Sequence, residues 1–146
     1  MREMEKFLVF LAQGLGSGLA KKAPGTWGSL VAVIIAWFIT PSLLTIIIAA
    51  AVGVYICTVA AKALNDDYPS CVVFDEWVGM WIALWALPHH LIWYVLAFGL
   101  FRLFDITKPW LIDKVQHYPD GWGIMLDDML AGLVSRIILA VLVWIF

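Results

Sequence analysis

Apolar positions along this chain come in blocks, not at the period of two that a half-buried strand requires. Residues 3–13 are a short amphipathic segment, predicted as a helix that lies at a membrane interface or re-enters it. The stretch "GLGSGLAKKAPGTWGSL", residues 14–30, has glycines at 14, 16, 18, 25 and 28 and Pro24, and predicts a flexible loop that ends by starting a helix. Apolar runs follow at 27–39, 43–64, 76–87, 91–104 and 124–146. Between them lie Thr40-Pro41-Ser42, with Ser42 a candidate cap, a polar loop at 65–74, the break Pro88-His89-His90, and a mixed connector at 105–122. The pattern predicts an all-α fold: a polytopic membrane helical bundle of about five short-to-medium apolar helices plus the N-terminal interfacial helix. No repeat or linker divides it, so residues 1–146 read as one domain.

A thirteen-residue run covers only about 20 Å, against a hydrocarbon core of about 30 Å. The first, third and fourth runs must therefore extend into polar flanks, insert part way, or sit in a thinned bilayer. Extension draws Asp75, Glu76 and Asp105 into helix ends at membrane depth.

Composition narrows the class. The chain is 64% hydrophobic and 14% charged, with a mean hydropathy of +0.94; a soluble domain is nearer half apolar and a quarter charged. A net charge of −2, with no basic arm and no zinc spacing, excludes nucleic acid as a partner. Cys57 and Cys71 read as structural, since position 77, where a Cys-x5-Arg phosphatase needs arginine, is Trp77. Glu3, Glu5 and the lack of a small-x-small site argue against a cleaved signal peptide.

Basic residues set the orientation. Lys21, Lys22, Lys62, Arg102, Lys108 and Lys114 fall at one set of helix ends, while the opposite turns carry no Lys or Arg. That side is expected to be cytoplasmic, with the N-terminus inside and the C-terminus outside. Asp66, Asp67, Asp75, Glu76, Asp105, Asp113, Asp120, Asp127 and Asp128 share it. Acids that merely solvated loops would appear on both sides.

Asp75-Glu76, Asp105 and Asp127-Asp128 each sit among large apolar neighbours. Asp75 and Asp127 could be N-caps favoured by the helix dipole. Capping leaves unexplained why a second acid follows each one. Neighbours on a helix project about 100° apart, so a pair can ligate from two directions or divide ligation and base duties. Convergent carboxylates repel unless a cation neutralises them, and hard oxygen donors suit Mg²⁺ or Mn²⁺. Magnesium commonly shares its shell with phosphate, which points to phosphate chemistry. Lys108 and Arg102, on either side of Asp105, and the hydroxyls of Thr26 and Ser29 at a helix start are candidate phosphate-binding groups. His89 and His90 lie on the far side. His117 reads as a bland connector residue, and the nine tryptophans suit interfacial belts. Arg136, eight residues after Asp128, is expected to pair inward, pack against an acid, or snorkel.

Four stretches, "GLGSGLAKKAPGTWGSL", "VFDEWVGMWIALWALP", "FRLFDITKPWLID" and "GWGIMLDDMLAGL", together resemble the phosphatidylglycerophosphatase A family in order and spacing. The resemblance covers nearly the whole chain. It implies Mg²⁺-dependent removal of the terminal phosphate from phosphatidylglycerol phosphate, a phospholipid substrate, in the bacterial inner membrane with the active site facing the cytoplasm. The family's motifs fall on Pro24, Gly25, Thr26, Gly28 and Ser29; on Asp75, Glu76 and Gly79; on Arg102, Asp105, Lys108 and Pro109; and on Gly123, Asp127 and Asp128. Lys21 and Lys22 look variable there. The expected site has Asp75, Glu76, Asp127 and Asp128 holding one or two Mg²⁺, with Asp105 a further ligand or base. The alternatives are a small ion or proton transporter and a structural membrane subunit. A transporter would favour repeats or acids at mid-membrane depth.

Overall fold

In the computed structural model, residues 2–19, 21–22, 24–66, 71–107, 112 and 121–146 are described, and among them there are helices and no strands. Helix α1 is Glu3–Ala12, α2 Pro24–Ile39, α3 Leu43–Ala63, α4 Phe74–Leu84, α5 Leu91–Thr107 and α6 Gly121–Ile145. Ser42 caps α3 as expected, accepting from the Thr45 amide at 3.2 Å. The polar flanks do extend the short runs: α2 begins three residues early at Pro24, a favoured first helical position, and α5 continues through Asp105.

The first part of the glycine-rich stretch, residues 14–19, is more ordered than a flexible loop. It turns through a single 3₁₀ helix, Ser17–Leu19, with the Ser17 hydroxyl donating to the Gly14 carbonyl at 2.9 Å. The Val73 amide donates to the Ala12 carbonyl at 2.8 Å, tying the end of α1 to the start of α4.

Helix α4 is the hub, packed against α2, α3, α5 and α6. Nine of its eleven residues are buried, which resolves the problem of its length. At about 16 Å it cannot cross a bilayer, and enclosed by four helices it has no need to. Two helices, α3 and α6, are long and apolar enough to cross a membrane; α2 is apolar but shorter. Their outward faces expose large apolar side chains such as Ile47, Tyr55, Ile137 and Trp144, while the core combines small residues such as Ala32, Ala36, Ala60 and Ala131 with large ones such as Met80 and Phe101. The small residues let helix backbones approach closely, the packing that works where lipid removes the hydrophobic drive.

A close backbone approach joins α4 to α6. A Cβ on Gly79 would lie 2.5 Å from the Asp128 carbonyl oxygen, and one on Gly132 would lie 2.1 Å from the Gly79 carbonyl oxygen. Only glycine fits at this crossing. At the other end of α4, Arg136 of α6 donates from Nε to the Trp85 carbonyl at 2.6 Å. It therefore secures the carbonyls that follow α4, and among the described residues it pairs with no acid.

Candidate active site

The α4–α6 crossing sets the site. Asp75 lies four residues before Gly79, and Asp128 four before Gly132. Residues four apart share a helix face, so locking the two glycines together stacks the two aspartates one turn above them. One oxygen each from Asp75, Asp127 and Asp128 lie within 4.8 Å of one another. A second group, Glu76, Asp105 and Asp128, meets the same limit. Asp128 belongs to both.

Neither aspartate pair is a helix cap. The N-cap of α4 is Val73, leaving Asp75 and Glu76 inside the first turn, and Asp127 is the seventh residue of α6. All five acids are buried, with Asp127 and Asp128 at 0% and 1% exposure. The doubled acids gain a geometric reason: Asp127 joins the group at Asp75, while its neighbour Asp128 also reaches the group on α5.

Among the described residues, Arg102 on α5 is the cation at this cluster. Its Nη1 donates to Glu76 Oε2 at 2.9 Å and also to Asp105 Oδ2. One guanidinium thus orients acids from two helices. Ser29 is fully buried, and its hydroxyl lies 2.7 Å from the Gly25 carbonyl and 3.2 Å from Glu76 Oε2. In this structure the Ser29 hydroxyl thus faces Glu76 and the backbone of its own helix. Gly25 brings the start of α2 against the site, since a Cβ there would meet Glu76 Oε1 at 2.8 Å. Thr26 is half-buried in the same turn. Lys108 lies outside the described residues. His89 stacks on Trp37 at 3.9 Å, far along the chain from the acids.

The electrostatics are lopsided. Among the described residues, five carboxylates meet one guanidinium, in a setting where an unneutralised charge is costly. Oδ1 of Asp75 and both carboxylate oxygens of Asp128 are buried without a hydrogen-bond partner. Buried carboxylate oxygens from two helices, α4 and α6, with no N–H donor among the described residues, are what a hard divalent cation requires of its ligands.

Of the two crossing glycines, Gly79 is named from the sequence only as a motif position and Gly132 not at all. Their signal is present: Asp-x3-Gly occurs as Asp75–Gly79 in one helix and as Asp128–Gly132 in another.

A family model for phosphatidylglycerophosphatase A matches residues 10–143. An Escherichia coli protein named phosphatidylglycerophosphatase A is 40% identical over 139 residues, covering 88% of this chain and 79% of its own. A Haemophilus influenzae protein of the same name is 40% identical over 138 residues, covering 88% and 83%. A Bacteroides thetaiotaomicron protein, provisionally named a phosphatidylinositol-3-phosphatase, is 40% identical over 149 residues, covering 94% of each chain. No solved structure matches.

Proposed function

The chain belongs to the phosphatidylglycerophosphatase A family, and from that premise we propose that it is a membrane-embedded phosphatase that hydrolyses the terminal phosphate of phosphatidylglycerol phosphate. The observation that carries the reading is the buried acid cluster in which Asp128 is common to two groups of converging carboxylates. It functions as one domain, residues 1–146. The apolar helices form a bundle in the bacterial inner membrane, with the acids at its cytoplasmic face. Basic residues cluster at the same helix ends, which supports this orientation.

Asp75, Glu76, Asp127 and Asp128 are the residues that would hold Mg²⁺, with Asp105 a further ligand or the base. When bound, Mg²⁺ supplies charge neutralisation and Lewis-acid polarisation of a phosphoryl oxygen. The protein's own groups do the rest. Water attacks phosphorus, its proton passing to a carboxylate of the cluster. The bond from phosphorus to the glycerol oxygen breaks, the alkoxide takes up a proton, and inorganic phosphate leaves. Arg102 fixes Glu76 and Asp105 and offsets negative charge as it develops. Lys108 and the start of α2 at Thr26 contact the phosphate. Ser29 acts through Glu76.

The transporter alternative is disfavoured, since the acids gather toward one end of the bundle and no repeat is present in the sequence. A different headgroup is a more serious rival, because the Bacteroides relative bears a name for another lipid monophosphate. Purified protein should release phosphate from phosphatidylglycerol phosphate, lose that activity in EDTA and regain it with Mg²⁺. Faster release from phosphatidylinositol 3-phosphate would replace the substrate, and full activity in EDTA would remove the metal.

A further inference from the structure

Helices α2 and α5 carry more than the residues that meet at the acids. Along their outward faces they leave a groove of about 340 Å³, within the range of small-molecule pockets. Leu30, Val33 and Ile34 wall it on α2, and Tyr94, Val95 and Phe98 on α5. No polar surface lines it.

Its position follows from the direction of the two helices. Helix α2 starts at the acids, with Gly25 and Ser29 against Glu76, and runs away from them. Helix α5 runs the other way and ends at the acids with Arg102 and Asp105. Leu30 therefore directly follows a residue of the site, and Phe98 lies one turn before Arg102. From Leu30 to Phe38 the groove follows α2 for about 12 Å. It opens sideways, since Ile34 and Val95 are 50% and 57% exposed. At its far end Trp37 is held by His89 stacked on one side and by Tyr94 edge-on at 5.1 Å.

We propose that this groove seats one fatty acyl chain of the substrate. The inference rests on the phosphatase reading. A ligand with a phosphate at one end and hydrocarbon at the other matches an apolar groove along α2 and α5 whose near end adjoins the residues of these helices that meet the acid cluster. The lateral opening lets the chain enter from the bilayer without the head leaving the membrane surface. The seated chain sets the height and direction of the phosphate at Asp128, so the groove residues select substrate by tail as well as by head.

The test fills the groove. Val33→Trp should lower kcat/KM for the dioleoyl substrate by about tenfold, through KM, because losing a chain's contacts in an apolar pocket is worth that much or more. Hydrolysis of the dihexanoyl substrate, too short to run the groove, should stay within about twofold. Val95→Trp, at a more exposed position, should act alike and covers the case in which Val33→Trp fails to fold. Ile137→Trp, on an exposed face of α6 that does not line the groove, is the control. Equal losses on both chain lengths, or no loss on either, would overturn the groove. If the wild type hydrolyses neither substrate, the phosphatase reading fails, and the groove is judged separately by labelling. Phosphatidylglycerol with a diazirine midway along one chain should then label α2 or α5 peptides in the wild type, and less so in Val95→Trp. Label spread evenly over the outward helices would overturn the proposal.

Discussion

At the scale of single residues, Asp128 is the position on which most depends. It is common to both carboxylate groups, and no N–H donor among the described residues reaches its buried oxygens. Asp128→Asn should lower phosphate release by at least about 100-fold, more than a change in a supporting residue around a metal would. It should also raise the melting temperature of the EDTA-treated protein by a few degrees, roughly 1 kcal/mol, because one of several crowded buried charges is gone. Mg²⁺ at about 100 times its Kd should stabilise the wild type by about 2.7 kcal/mol, and the variant should lose that gain. A melting curve for Asp128→Asn that is lower in EDTA and still responds fully to Mg²⁺ would sink both assignments. Arg102→Lys separates charge from shape. A lysine keeps the charge but not the planar fork that reaches Glu76 and Asp105 together. Turnover should drop by about tenfold or more while the protein still assembles, as read by size exclusion in detergent.

At the scale of elements, the α4–α6 crossing governs the site from one turn away. Gly132→Ala places a methyl against the Gly79 carbonyl, which is backbone and cannot swing aside. Overpacking of this kind costs about 1–3 kcal/mol. It should also separate Asp75 from Asp128, so Mg²⁺-dependent stabilisation should weaken along with activity. The opposite outcome is expected at the far end of α4. Arg136→Ala removes donors to the Trp85 and Ala86 carbonyls and should cost about 1–3 kcal/mol of stability. Turnover per folded molecule should change by less than about twofold, since Arg136 touches nothing at the acids. Melting temperature and initial rate, measured on the same preparations, distinguish the two glycine and arginine effects.

At the scale of the whole molecule, orientation is the property to test. In a Cys71→Ser background, where Cys57 is fully buried, cysteines introduced at Lys62 and Thr40 report opposite ends of α2 and α3. A membrane-impermeant maleimide applied to spheroplasts should label Thr40→Cys and spare Lys62→Cys until the membrane is opened. Labelling of Lys62→Cys from outside would move the acids away from the cytoplasmic face. The same scale explains why a bundle can include an eleven-residue helix: α4 meets protein on all sides, so bilayer thickness places no demand on it.

Much of this was legible in the chain. Blocks of apolar residues determine that the elements are helices, and acids set among large apolar neighbours mark the site, because burying charge without a purpose is too costly to be incidental. Ser42 could be read as a cap from its position alone. The role of Ser29 could not, since whether a hydroxyl faces a ligand or a neighbouring carboxylate depends on which helix packs over it. Nor could the partition of the acids into two groups sharing Asp128, or the end of α4 that Arg136 secures. Those were decided where α6 lies against α4, and that contact depends on the matching of two backbones at Gly79 and Gly132. A one-dimensional pattern specifies which face of a helix is buried; only the packed helices specify what that face meets.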